Sequence, residues 1–376
     1  MLCLTNATLV TPYGVVQGAL YCGNGHIDDL GAQTRVPGAQ DVDGDYILPG
    51  LVEIHTDNIE KHAVPRSGVR WPHTLGAIVA HDAHMVISGV TTVMDAVSAG
   101  EFSPIRMRRE IFSESLDALD KAQEHELLRA DHFLHVRCEL ADRAVVEMFD
   151  SVKDHERLRL VSLMDHTPGQ RQWRDLDKFK SFHADKKWTD DDVLAEVRRL
   201  QKIQAEFAGP NRETILSICR ERELPLASHD DTTVEHVEET ARLGIGISEF
   251  PTTREAASRA RELGQAVVMG APNVVRGVSH SGNASALELA RDGLVDILSS
   301  DYMPGSLLQA VFVLAQKLDM PLPEALAKVT ANPAKALGLN DRGELVPGRR
   351  ADLLRVRIVD GVPVVINVWR QGKLVM

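Results

Sequence analysis

The middle of the chain repeats one pattern eight times, a short apolar run followed by an amphipathic stretch, and this constrains the fold more than any other feature. The runs cover 47–54, 91–96, 133–138, 158–164, 224–227, 244–247, 266–269 and 295–298. Helical periodicity fills intervals between them, at 105–129, 141–153, 212–222, 234–243 and 254–263. Short β-rich runs alternating with helices predict βα units around a parallel sheet. Eight such units predict a (β/α)8 TIM-like barrel, an α/β fold whose usual size of about 250 residues suits the middle segment. A doubly wound open sheet is the rival. It needs a glycine-rich phosphate loop after its first strand, and Pro49-Gly50-Leu51-Val52-Glu53-Ile54 is not one.

The two ends differ from the middle. Residues 2–10, 15–21 and 25–30, then 351–359, 362–369 and 373–376, read as short strands separated by Gly, Asn and Pro turn signals. The simplest account is a small β-sandwich domain built from 1–48 plus 343–376, beside a barrel domain over 49–342. Residues 170–209 break the rhythm with dense charge of both signs. They follow the fourth run, on the C-terminal side where barrel active sites lie, and read as a solvated insertion or a lid.

Charge narrows the partners. With 42 Lys and Arg against 54 Asp and Glu, the net charge is −12, which argues against generic nucleic-acid binding. An anionic ligand would need a local basic pocket. No apolar run approaches the ~20 residues of a membrane helix. The N-terminus lacks the basic and apolar regions of a secretory signal, so a cytoplasmic chain is expected. Cys3, Cys22, Cys138 and Cys219 form no CxxC pair and are expected to be reduced.

Polar residues gather where the apolar runs end. Run one ends in His55-Thr56-Asp57-Asn58, run three in Arg137-Cys138-Glu139 and run four in Asp165-His166. Run five ends in Ser228-His229-Asp230-Asp231 and run eight in Ser299-Ser300-Asp301. Residues two apart in a strand share a side, so His55 and Asp57 are expected to converge. Imidazole and carboxylate at this density call for a counter-cation. His55, Asp57, Glu139, His166, His229 and Asp301 are therefore the expected ligands of one or two divalent ions. Zinc is the first choice, with manganese, iron or nickel as alternatives. Glu249, at the end of run six, is a substitute ligand. His135 reads as buried structure.

At this point the chain resembles the amidohydrolase superfamily along essentially its whole length. The resemblance rests on the terminal β segments, Leu48-Pro49-Gly50-Leu51-Val52-Glu53-Ile54-His55, Gly89-Val90-Thr91-Thr92-Val93 and Thr330-Ala331-Asn332-Pro333-Ala334. It also rests on Gly343-Glu344-Leu345-Val346-Pro347-Gly348-Arg349-Arg350-Ala351-Asp352-Leu353. His55-Thr56-Asp57 departs from the family's His-x-His. No lysine lies between Leu158 and Gln170, which excludes the strand-four carbamylated lysine that many members use; Glu139 is the implied replacement.

Longer strings are similar to one branch, the triphosphate diphosphatases of the bacterial carbon–phosphorus lyase pathway. They include His55-Thr56-Asp57-Asn58-Ile59-Glu60-Lys61-His62, Ser228-His229-Asp230-Asp231-Thr232-Thr233 and Met269-Gly270-Ala271-Pro272-Asn273-Val274-Val275-Arg276-Gly277. The resemblance implies cleavage between the α and β phosphorus of α-D-ribose 1-methylphosphonate 5-triphosphate, releasing pyrophosphate in phosphonate catabolism. Lys61, Arg66, Arg70, Arg137 and Arg276 would supply cations for this small-molecule substrate, since guanidinium forks match phosphate oxygens. Asn273, His280, Ser281 and Asn283 follow run seven, where barrels often hold phosphate. Asp301 is the expected general base. A homodimer is compatible with a barrel of this type. The rival readings are C–N bond hydrolysis on the same fold, as a deacetylase, deaminase or cyclic-amide hydrolase, and a metal-free scaffold.

Overall fold

The computed structural model describes residues 1–32, 38–66, 69–100, 107–171, 189–279 and 282–376. Its strands run in chain order as follows. First come β1 (Leu2–Thr11), β2 (Gly14–Gly23), β3 (His26–Gly31), β4 (Gln40–Asp41) and β5 (Tyr46–Pro49). Then follow β6 (Leu51–Thr56), β7 (Val90–Ala99), β8 (Asp131–Glu139), β9 (Leu158–Met164), β10 (Leu226–His229), β11 (Ile247–Glu249), β12 (Ala266–Gly270) and β13 (Ile297–Ser299). The last are β14 (Leu353–Val359), β15 (Val362–Arg370) and β16 (Lys373–Leu374).

The terminal strands form one mixed sheet in the order β16-β15-β14-β5-β1-β2-β3, with β4 paired to β1. The two ends of the chain meet at β5, which runs antiparallel to β14 and parallel to β1. Leu4, Leu9, Leu20, Ile27, Ile47, Leu345, Leu353 and Trp369 pack into the core of this sheet. Just before β5, Asp45 accepts from Arg355 Nε at 2.5 Å and from Arg357 Nε at 2.9 Å, both on the neighbouring β14.

The eight strands β6 to β13 form the second sheet in sequence order, which is the barrel. β6 and β7 are buried at every position, as strands covered on both faces require. The first and last barrel strands adjoin. Thr56 bridges Asp301 in parallel, and the Asp301 N–H donates to His55 O at 3.2 Å.

The chain divides into two compact units. One comprises Met1–Asp95, Asp117–Phe133 and Met269–Met376; the other comprises Ala96–Leu116 and Leu134–Val268.

One sequence expectation changes. The first apolar run, 47–54, is two strands of different sheets. Tyr46–Pro49 belongs to the terminal sheet and Leu51–Thr56 to the barrel, with Gly50 between. A Cβ on Gly50 would collide with the Thr91 side chain, so only glycine fits this crossing. Of the charged segment 170–209 the structure describes 170–171 and 189–209. Its second half begins the helix Asp190–Glu221, opened by a capping box in which Thr189 and Asp192 bond reciprocally. The expected lid over 172–188 lies outside the described residues. No helix among the described residues is long and apolar enough to cross a membrane.

Candidate active site

In the first unit, the donors cluster around the end of β6. His55 is the fifth residue of that strand and is 1% exposed. Asp57 stands just beyond the strand, as the residue before the helix Asn58–Ala63. It therefore reaches His55 through the turn rather than by strand alternation: His55 Nε2 and Asp57 Oδ1 are 3.6 Å apart. Asp301 lies two residues past β13, with a left-handed φ of 54°. Its carbonyl accepts the Asp57 N–H at 3.1 Å, which locks this aspartate beside the β6 turn. Donor atoms of His55, Asp57 and Asp301 all lie within 4.8 Å of one another.

Glu53 is a residue the sequence reading missed. It is fully buried, and its two oxygens accept from the His55 N–H and the Ser300 N–H, each at 2.7 Å. It thus ties the backbones that carry His55 and Asp301. Burial pushes its carboxyl up to about 7, against the opposing pull of its hydrogen bonds from Ser300 and His55. A charged residue inside an apolar run was the available signal.

In the second unit, three strand ends converge. Glu139 ends β8, His229 ends β10 and Glu249 ends β11, while His166 lies two residues past β9. His166 Nδ1 donates to Glu139 Oε2 at 2.6 Å, and its N–H donates to Glu139 Oε1 at 3.1 Å. His229 Nδ1 faces Glu249 Oε2 at 3.4 Å. Each carboxylate therefore holds the Nδ1 side of an imidazole and leaves Nε2 as the outward nitrogen. Both Nε2 atoms face Asp230 Oδ2, at 3.9 Å from His166 and 3.6 Å from His229. That oxygen is buried and has no hydrogen-bond partner among the described residues. In the sequence Asp230 is one of two adjacent aspartates after His229, and nothing local distinguishes it from Asp231. It too adopts a left-handed φ, 57°, as does Phe250 at 54° after β11. Phe250 presses edge-on against the His229 ring at 5.5 Å. Arg171 completes the set by pairing with Asp231 and donating to His229 O at 3.0 Å. His135 is fully buried and bonds Ser162 at 2.9 Å.

This donor chemistry fits a divalent cation. Two imidazoles held through Nδ1 face a buried carboxylate oxygen that has no hydrogen bond among the described residues, which suits a metal shell of nitrogen and oxygen donors. His55, Asp57 and Asp301 offer the same donor types.

The expected phosphate ligands differ in burial and in their partners. Lys61 Nζ donates to Tyr302 O at 3.0 Å and sits 4.8 Å over the Tyr302 ring. Burial lowers its pKa, partly offset by Asp57 and Asp301. Arg66 and Arg276 are exposed, Arg70 is half-buried, and Arg137 is buried. Asn273 uses its amide within the protein, donating to Ala284 O at 3.0 Å and accepting the Ala286 N–H at 3.1 Å. Asn283 is half-buried. His280 and Ser281 lie outside the described residues.

The amidohydrolase family model matches residues 182–376. The chain is also 46% identical over 376 residues to the alpha-D-ribose 1-methylphosphonate 5-triphosphate diphosphatase of Escherichia coli (strain K12), covering 99% of both chains. The chain belongs to the amidohydrolase family. An imidazolonepropionase of Deinococcus deserti is a more distant relative, 26% identical over 97% of this chain and 96% of its own. Among solved structures, the 5-methylcytosine deaminase of Klebsiella pneumoniae liganded with phosphonocytosine superposes with a TM-score of 0.67. It covers 100% of this chain and 98% of its own at 16% identity, a likeness of fold. This amidohydrolase therefore shares its barrel with enzymes of differing chemistry, and its side chains must decide the reaction.

Proposed function

We propose that this amidohydrolase is a metal-dependent hydrolase that cleaves the α–β phosphoanhydride of α-D-ribose 1-methylphosphonate 5-triphosphate. The products are pyrophosphate and 5-phospho-α-D-ribose 1-methylphosphonate, a step in phosphonate catabolism. The observation that carries this reading is the 46% identity over 99% of both chains to the Escherichia coli diphosphatase. The donor chemistry at the strand ends supports it. His55, Asp57 and Asp301 form one ligand set, and His166, His229 and Asp230 form another, for one or two divalent ions, zinc first. Glu139 and Glu249 orient the imidazoles. When bound, such an ion polarises phosphoryl oxygen and lowers the pKa of water towards ~7.

The chain's own groups do the rest. Asp301 accepts the proton of the attacking water. Glu53 holds the backbone of both His55 and Ser300, so the base and its neighbours move little. Lys61, Arg66, Arg70 and Arg276 meet the charge of the departing pyrophosphate, and Arg137, Asn283, His280 and Ser281 remain the further substrate-binding candidates of the sequence. The reaction belongs in the cytoplasm.

The test is phosphorus NMR on purified, metal-analysed protein with ribose 1-methylphosphonate 5-triphosphate, and with ATP as comparison. Pyrophosphate release that is lost in His55→Asn is the expected result. No phosphorus chemistry from metal-loaded protein, together with turnover of an amide or a cyclic amide, would replace this reading with C–N hydrolysis.

A further inference from the structure

We propose that His62, His81 and His84 form an additional metal site, for a divalent first-row transition ion, apart from the strand-end donors. His81 and His84 lie on the helix Thr74–Ile87, three positions apart and therefore on one face. His62 lies on the helix Asn58–Ala63. The His62 ring stands 5.8 Å from the His81 ring and 5.8 Å from the His84 ring, between centroids.

His81 makes the case specific. It is fully buried, and its Nε2 is 2.7 Å from Asp95 Oδ1. A carboxylate accepts, so Nε2 carries the proton and Nδ1 keeps its lone pair. That Nδ1 is buried and has no hydrogen-bond partner among the described residues. A buried imidazole held on one nitrogen by a carboxylate, with the other nitrogen open, is the arrangement of a metal-bound histidine.

The carboxylate side of this network is already satisfied. Asp95 also takes His132 Nδ1 at 2.8 Å, His132 Nε2 reaches Asp82 Oδ1 at 3.3 Å, and Asp82 Oδ2 takes Arg129 at 2.9 Å. Asp95 and His132 therefore anchor His81 rather than bind the ion themselves. The half-buried His62 and His84 rings supply the adjustable ligands. Imidazole donors select zinc, nickel, cobalt or copper over magnesium and calcium. The ion would fasten the helix Asn58–Ala63, which carries Lys61, to the helix Thr74–Ile87.

The test uses the full chain stripped by chelator and titrated with Co2+ alone, with bound ions counted by elemental analysis and ligands read by X-ray absorption. His62→Gln/His84→Gln is expected to bind one ion fewer than wild type, with less imidazole around the remaining cobalt. Its metal-free melting temperature should match wild type, while its rise in melting temperature on adding metal is smaller. In His55→Asn/His229→Asn, one ion is expected to stay. An unchanged ion count and unchanged metal stabilisation in His62→Gln/His84→Gln would overturn the proposal. If that variant does not fold, His84→Gln alone carries the same comparison.

Discussion

At the scale of single residues, burial and hydrogen bonding assign roles that residue type alone leaves open. Glu139 and Glu249 were read as ligands because carboxylates at strand ends suit metals. In the structure they also lie beside imidazoles, Glu139 at 2.6 Å from His166 and Glu249 at 3.4 Å from His229, where they would orient the rings in the proposed sets. Asp301 keeps its expected place beside His55 and Asp57. Changing Asp301→Asn should lower kcat by about 10²–10⁴-fold, the usual loss of a positioned base. Steady-state kinetics with elemental analysis checks this, and much of the bound metal should remain. Asp45 offers a separate test far from the chemistry. Burial raises its carboxyl, but the bonds from Arg357 and Arg355 win and hold it below its ordinary 3.8. Its contribution to stability is therefore present above pH 3.8 and lost as pH falls through the lowered value. Melting curves of wild type and Asp45→Asn should differ at pH 7 and converge in strong acid.

At the scale of elements, the turns after the barrel strands matter more than the strands. Asp230, Phe250 and Asp301 all adopt left-handed φ just after β10, β11 and β13. An aspartate tolerates this region, whereas a phenylalanine there needs the surrounding packing to impose it. These turns swing the side chains inward at the strand ends, which no alternation rule captures. Gly50 is the equivalent device between the two sheets. Gly50→Ala should destabilise the protein by about 1–3 kcal/mol, the usual cost of forcing atoms into a packed site. Urea unfolding should show it as a lower midpoint with an unchanged slope.

At the scale of the whole molecule, the two chain ends are joined through β5, which pairs with β14 on one side and β1 on the other. Only one residue separates β5 from β6, the first barrel strand. A chain truncated after Asp352 loses β14, β15 and β16 and leaves β5 without its antiparallel partner. It should fail to give a cooperative thermal transition by circular dichroism. The sequence alone was enough for the barrel, because eight apolar runs alternating with helices admit few other folds. The same holds for the terminal β segments, and five of the six donors in the proposed sets already stand out as residue types against apolar runs. Tertiary structure decided what depends on distant partners. The role of Asp230 is marked by the two imidazoles that face it, and that of Glu53 by two backbone N–H groups, one in β6 and one just past β13. The His62, His81 and His84 cluster is likewise visible only once two helices pack together. Short-range pattern is written in the chain. Which carboxylate binds, which one orients and which one anchors depends on contacts between residues up to 247 positions apart, as between Glu53 and Ser300.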